Sequence, residues 1–288
     1  MDELIAIMKK YSEINLDEKL SNKEGLKEVS TNFYEDVAEI YDILTRVKNT
    51  ERNPTGFNLN DAAVLGLLVR IWKLLKEVVV YYKANNGQII SHLDRQIIES
   101  SIIARYLLIR GDTTIEDYRK CSYKDRLRAL EDAKNGGFYE SPAGVRLIES
   151  INSKMKDEGF DINSFELQKK RRWKIEGKSF FDIFKQLEPE EFYKLLYGIP
   201  SESIHGSWNE SLDFDLVKND DGTYSPYPFY QSVDIRFITP ILRLTNESYL
   251  LWLKHIDVYD AYFGKLFAWM KLINIKLFDA FEKTYDLS

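Results

Sequence analysis

Cysteine is nearly missing from this chain: Cys121 is the only one in 288 residues. A single thiol excludes an intrachain disulfide and any zinc site built on several cysteines, and it suits a reducing compartment. Proline and glycine are scarce as well, at 7 and 14 residues, and few breakers across long periodic stretches favour helices over a turn-rich β fold. No apolar run comes near the roughly 18 residues that a membrane span requires. The first residues, Met1-Asp2-Glu3 with Lys9 and Lys10 after a short apolar turn, stand in the wrong order for a secretory signal. A soluble, cytoplasmic protein with no membrane partner is therefore expected. An excess of basic charge is lacking too, since the net charge is −6, and nothing global marks a binder of polyanions. Neither a phosphate-binding glycine loop nor a dinucleotide fingerprint is found, and no cofactor is expected.

What the chain does have is a globular balance, 44% hydrophobic against 30% charged residues, which places it well away from disorder. The periodicity predicts an all-α, multi-helix bundle. Helices are expected at about 28–48, with Phe33, Val37, Ile40, Tyr41 and Leu44 at three-and-four spacing, and from Asn60 or Asp61 to about Lys83, where Asn86-Gly87 marks a stop. Residues 88–110 are apolar on more than one side, the mark of a central helix packed by several neighbours. Thr113 or Thr114 is expected to cap one helix running to about Ala133, followed by others at about 142–156, 190–197, 233–256 and 258–284. A long irregular loop at about 206–230 is expected to hold a small hairpin, because Asp213 to Val217 alternates, Asp220-Asp221-Gly222 is a turn signal, and Pro226 and Pro228 oppose helix. Residues 1–58 read as a helical segment packing on a main domain at 59–288, all in one folded body.

Chemistry has few places to sit. At about 100° per residue Arg95, Glu99 and Tyr106 share one sector of the central helix, with His92 at its edge and isoleucines on both sides. A charge buried there must be paired, so Arg95 and Glu99 are expected to meet each other or further polar groups, most simply as a structural ion pair. Tyr197, Ser201 and His205 are spaced four apart, although Gly198 and Pro200 point to a break and a short turn rather than one helix. His205 is a side chain that titrates near neutral pH. Lys169, Lys170, Arg171 and Arg172, with Trp173 beside them, can bind RNA through phosphate contacts and stacking, but in an acidic protein such a run also reads as a solvated face. Asp213 with Asp215 lacks a third ligand for a metal and reads as a polar loop.

Gly66-Leu67-Leu68-Val69-Arg70, then Arg95-Gln96-Ile97-Ile98-Glu99 with Tyr106, then Tyr197-x-x-x-Ser201-x-x-x-His205-Gly206 follow one another in an order and spacing that resembles the bacterial family named domain of unknown function 5677. The resemblance implies an all-helical bacterial protein in which Arg95, Glu99, Ser201 and His205 match recurring polar positions, and it implies no known reaction. More distantly, a helical domain with Arg and His at its centre looks like the HEPN group, which includes metal-independent ribonucleases of toxin and phage-defence systems. Their usual signature, Arg followed after four to six residues by His, is missing around His92, His205 and His255. In a variant of that chemistry Arg95 would hold a phosphate, His205 would act as general base on a 2′-hydroxyl, and Tyr197 or Ser201 would steer. The expectation is thus a nuclease or phosphodiester-handling effector of bacterial stress or phage defence. The alternatives are a non-catalytic scaffold or partner-binding protein and a sensor of an anionic small molecule. Phe263, Phe267, Met270, Leu277, Phe281 and Tyr285 form a rough stripe on the last helix that fits either a homodimer contact or the core.

Overall fold

The computed structural model describes residues 2–165, 173–199, 201, 206–230 and 233–285, with the side chain of residue 285 left aside. The described residues are all-α apart from one small hairpin and an isolated bridge between Ile175 and Lys178. Helices α1 (Asp2–Ser12), α2 (Leu16–Lys19) and α3 (Lys23–Arg46) lead to α4 (Leu59–Lys83) and the hub, α5 (Gly87–Arg110). Then come α6 (Asp112–Cys121), α7 (Lys124–Asp132), α8 (Pro142–Asp157), α9 (Phe180–Leu187) and α10 (Glu190–Tyr193), which runs into a π-helical turn at Lys194–Gly198. α11 (Trp208–Phe214), the hairpin β1 (Leu216–Lys218) and β2 (Tyr224–Pro226), α12 (Thr239–His255) and α13 (Ala261–Tyr285) follow.

Asparagines start the long helices. Asn22, Asn58 and Asn86 each accept a hydrogen bond from the backbone N–H three residues on, which satisfies one of the donors that a helix start leaves open. The expected stop at Asn86-Gly87 is thus also a start, with Asn85 in the left-handed region at φ 58 making the turn between α4 and α5. Gly111, at φ 85, ends α5. The single helix expected from Thr113 or Thr114 to Ala133 begins at Asp112 without a side-chain cap, and it is broken at Ser122 and Tyr123 into α6 and α7.

α5 packs against α4, α6, α9 and α12. Small residues meet where α5 crosses α12: Ser101, fully buried, donates to the Leu244 carbonyl at 2.9 Å and lies 2.6 Å from Ser248 Oγ. One hydrophobic cluster runs from Leu4 to Phe281, so the first and last helices share a core with the middle of the chain. A satellite cluster of Tyr123, Leu127, Ile151, Met155 and Phe165 holds α7 and α8 together. Arg119 ties it to the rest by reaching Glu158 at 2.9 Å.

One expectation changes here, and one of two open readings is met. The segment expected as loop from residue 206 onward contains α11, capped by Ser207, whose side chain accepts from the Glu210 backbone N–H. The hairpin follows in the antiparallel register Leu216 to Pro226, Val217 to Ser225 and Lys218 to Tyr224. The stripe of Phe263, Phe267, Met270, Leu277 and Phe281 on α13 is buried in the chain's own core, and the apolar side chains that α13 exposes are Leu272, Ile275 and Phe278. Among the described residues no helix is long and apolar enough to cross a membrane.

Candidate functional site

The polar sector of α5 meets the π-helical turn. Arg95 Nη2 donates to the Tyr197 hydroxyl at 3.1 Å, and that hydroxyl donates in turn to Glu99 Oε2 at 3.4 Å. The guanidinium also lies over the Tyr197 ring, 4.8 Å from its centroid. Arg95 and Glu99, one helical turn apart, are therefore joined through a phenol that comes from 98 to 102 residues later in the chain, and not by the direct ion pair that their spacing suggests. The π-helical geometry, which inserts an extra residue per turn and recurs at functional sites, sets Tyr197 inward. Phe180 on α9 and Tyr193 on α10 hold its ring, with centroids 4.5 and 5.2 Å away.

Electrostatics keep the phenol protonated. Burial, then the Glu99 charge, push the Tyr197 hydroxyl up, while the hydrogen bond and charge of Arg95 pull the other way. Burial raises Tyr193 as well, with the Arg95 charge lowering it and the Glu99 charge raising it. On the far side of Glu99, Tyr118 is raised chiefly by burial, with Arg70 lowering it and Glu99 raising it further. Arg70 itself donates to Gln96 Oε1 at 2.7 Å. Arg95, Gln96 and Glu99 are half-buried, so this cluster of two arginines, one carboxylate and three tyrosines is reachable from solvent.

Ser201 faces another way. Its hydroxyl donates to the Tyr197 carbonyl at 2.5 Å, which secures the turn and occupies its proton. His205 lies outside the described residues, as do Lys169, Lys170, Arg171 and Arg172. Trp173 is half-buried and packs on the main hydrophobic cluster. Of the other histidines, His255 Nε2 sits 2.6 Å from the buried Asp61, and His92 is half-buried on α5. Asp215 accepts from Gln88 Nε2 at 3.4 Å, and among the described residues no three His, Cys, Asp or Glu side chains gather as a metal would need.

Tyr106 belongs to a separate centre. Its hydroxyl donates to Glu176 Oε2 at 2.6 Å and accepts from Lys178 Nζ at 2.7 Å, while Thr114 donates to Glu176 Oε1 at 2.6 Å. Arg110 completes the ring at 3.4 Å. Glu176 stands in the left-handed region at φ 49, followed by Gly177 at φ 77. Such a conformation costs a residue other than glycine of order 1 kcal/mol or more and persists where its surroundings hold it.

Comparison with known proteins bears on the first centre. The model of a family of unknown function, DUF5677, matches residues 61–224, more than half of the chain. The chain belongs to the DUF5677 family. No curated protein and no solved structure matches it. The DUF5677 span holds Arg70, Arg95, Glu99, Tyr118, Tyr193, Tyr197 and Ser201, so the whole Arg95 centre lies inside it. α12 and α13 lie beyond the DUF5677 match, although they close the core on which α5 rests.

Two features of this DUF5677 chain are absent from the sequence reading. Arg105 Nη1 donates to Glu188 at 2.6 Å, and Arg243 takes the other oxygen of the same carboxylate. Asp94, next to Arg95 but turned onto the apolar face of α5, is 6% exposed and lines a cavity. Both carry a sequence signal. Arg105 interrupts the buried run 100–107, and Asp94 falls at helical spacing among Ile90, Ile97 and Ile98, where an apolar residue belongs.

Proposed function

We propose that this protein handles phosphodiesters as a metal-independent nuclease, with the Arg95–Tyr197–Glu99 relay at its centre. The observation that carries the reading is the position of Arg95: held over Tyr197 by one hydrogen bond and the ring face, and half-buried, its guanidinium keeps further donors for a phosphate. Glu99 and Tyr197 fix its orientation, and fixed donors stabilise developing charge better than mobile ones. His205, four residues beyond Ser201, is the general base in this scheme. It takes the proton of a ribose 2′-hydroxyl, the 2′-oxygen bonds to phosphorus, the bond from phosphorus to the 5′-oxygen breaks, and the leaving oxygen takes a proton from water. A role in stress or phage defence suits an RNA-cutting effector, and the basic run at 169–172 would help to gather the substrate.

Incubation of the whole chain with a labelled RNA oligonucleotide, in the presence of a chelator, tests this. Fragments ending in 2′,3′-cyclic phosphate are expected, with the deoxy analogue uncut. Arg95→Ala and His205→Ala are each expected to cut at least about a hundredfold more slowly while remaining folded. Cleavage by His205→Ala at the wild-type rate, or no cleavage by the wild type, would overturn the reading.

A scaffold or partner-binding role is the second reading, and the exposed Leu272, Ile275 and Phe278 on α13 favour it. They give the last helix an apolar outer face in addition to its buried one, suited to a second copy or a partner helix. Sedimentation of the wild type against Phe278→Asp distinguishes it: a mass that does not change with concentration or with the substitution counts against self-association.

A further inference from the structure

Asp94 stands where a carboxylate is costly. It is 6% exposed, its Oδ1 is buried without a hydrogen-bond partner among the described residues, and burial alone pushes its carboxyl well above the usual carboxylate range. An unpaired buried carboxyl costs stability unless something answers it. The side chain lines a cavity of about 290 Å³ between α5, the π-helical turn, α11 and the start of α12. The walls are apolar, with Ile98, Leu196, Phe214, Phe237 and Ile241 among them, and two further lining residues, Leu195 and Ile199, are 58% and 60% exposed.

Carboxyl groups outnumber cations around the cavity. Glu210 and Asp213 line it with Asp94. Arg236 lines it too, but its guanidinium is already held by Asp234 at 3.0 and 2.7 Å. An anion would meet the unpartnered Asp94 carboxyl, whereas an ammonium group brings three donors and a charge to answer it. Apolar walls favour a hydrocarbon body behind that group, as in small-molecule sites where a few polar groups set orientation.

We propose that this cavity binds a small organic cation, a primary alkyl- or arylalkylammonium, whose charged end pairs with Asp94 while its hydrocarbon part fills the apolar walls. The bound amine packs on Leu196, one residue before Tyr197, so the site shares the π-helical turn with the Arg95 centre without using any of that centre's side chains. It stands independently of the phosphodiester reading, because neither Asp94 nor its cavity takes part in that chemistry.

Calorimetric titration of the full chain with phenethylamine, benzylamine and hexylamine, and with the neutral 2-phenylethanol as control, tests the proposal. At least one amine is expected to bind, and the alcohol matching the arylalkylamine at least tenfold more weakly. Asp94→Asn is expected to weaken the amine at least tenfold and to leave the alcohol unchanged, while Asp94→Leu, with the cavity's carboxyl replaced by a side chain of similar size, binds no amine. The comparison of amine with alcohol on the wild type stands even if a variant fails to fold. No heat with any of the three amines, equal affinity for alcohol and amine, or undiminished amine binding by Asp94→Asn would each overturn the proposal.

Discussion

Arg105 reaches Glu188 at 2.6 Å, with side chains only 10% and 6% exposed. The pair fastens α5 to the residue that closes α9, and Glu188 spends its second oxygen on Arg243, whose side chain is 52% exposed. Removal of the buried member of such a set leaves a charge with no answer in a poorly solvated place. Glu188→Ala is therefore expected to cost about 3–5 kcal/mol, whereas Arg243→Ala, at the wet end, should cost at most about 1 kcal/mol. Urea unfolding at pH 7 separates the two, and equal losses would mean that Arg105 is not the residue Glu188 serves.

The hub was legible in the sequence because burial on several sides writes apolar residues around the whole helix, and residues 88–110 carry that pattern. Arg95 and Glu99 were legible as a polar stripe for the same reason. Their connection was not, since the phenol that joins them arrives from a turn whose π-helical shape no periodicity announces. Tyr106 has the angular position of the Arg95 stripe but sits two to three turns further along the helix, and the residues that face it come from the segment around Glu176. Helical phase fixes the face of a residue; its partner depends on which segment crosses at that height.

Glu176 gives the fold a pH dependence. Hydrogen bonds from Thr114 and Tyr106 lead in holding its carboxyl down to about 2, with Lys178 and Arg110 assisting. The folded protein thus prefers the ionised form more than the unfolded chain does, whose glutamate titrates near ~4.3. The stabilisation is complete above that value and is lost as pH falls toward 2. A shift of this size corresponds to at most about 3 kcal/mol, and a side chain 25% exposed brings the figure nearer to about 2. Glu176→Gln should therefore unfold at lower urea concentration than the wild type at pH 7, with a gap that narrows steadily between pH 5 and pH 3. A gap independent of pH would show that shape, and not charge, accounts for the loss.

Asp94 has the opposite sign. Its folded carboxyl resists ionisation, so the unliganded protein is penalised once the pH rises above the ordinary aspartate value, and the penalty is absent in acid. Asp94→Leu is expected to stabilise the unliganded chain by about 1–3 kcal/mol at pH 7, the usual cost of a buried polar group without a partner. The gain should shrink below about pH 4, where the unfolded aspartate is protonated too and only the cost of burying a neutral carboxyl remains. Thermal unfolding at pH 7 and pH 4 measures it, and a destabilised variant at pH 7 would mean that the carboxyl has a partner in the folded state.

Tyr197→Phe tests how the Arg95 centre works. The ring remains, and with it the tilted contact with Phe180 and the face presented to the guanidinium, so only the hydroxyl between Arg95 and Glu99 is lost. Each of the two hydrogen bonds is worth about 0.5–1.5 kcal/mol net, or somewhat more where a charge takes part. Arg95 and Glu99, one turn apart and half-buried, can recover part of that by pairing directly or with water. A stability loss of about 1 kcal/mol is accordingly expected. If the hydroxyl only ties helices together, RNA cleavage should follow the folded fraction and stay near the wild-type rate. If it holds the guanidinium for a phosphate, cleavage should fall by roughly ten- to a hundredfold at full folding, since a displaced donor loses transition-state stabilisation without unfolding the protein. Single-turnover cleavage at a temperature where both proteins are folded decides between them.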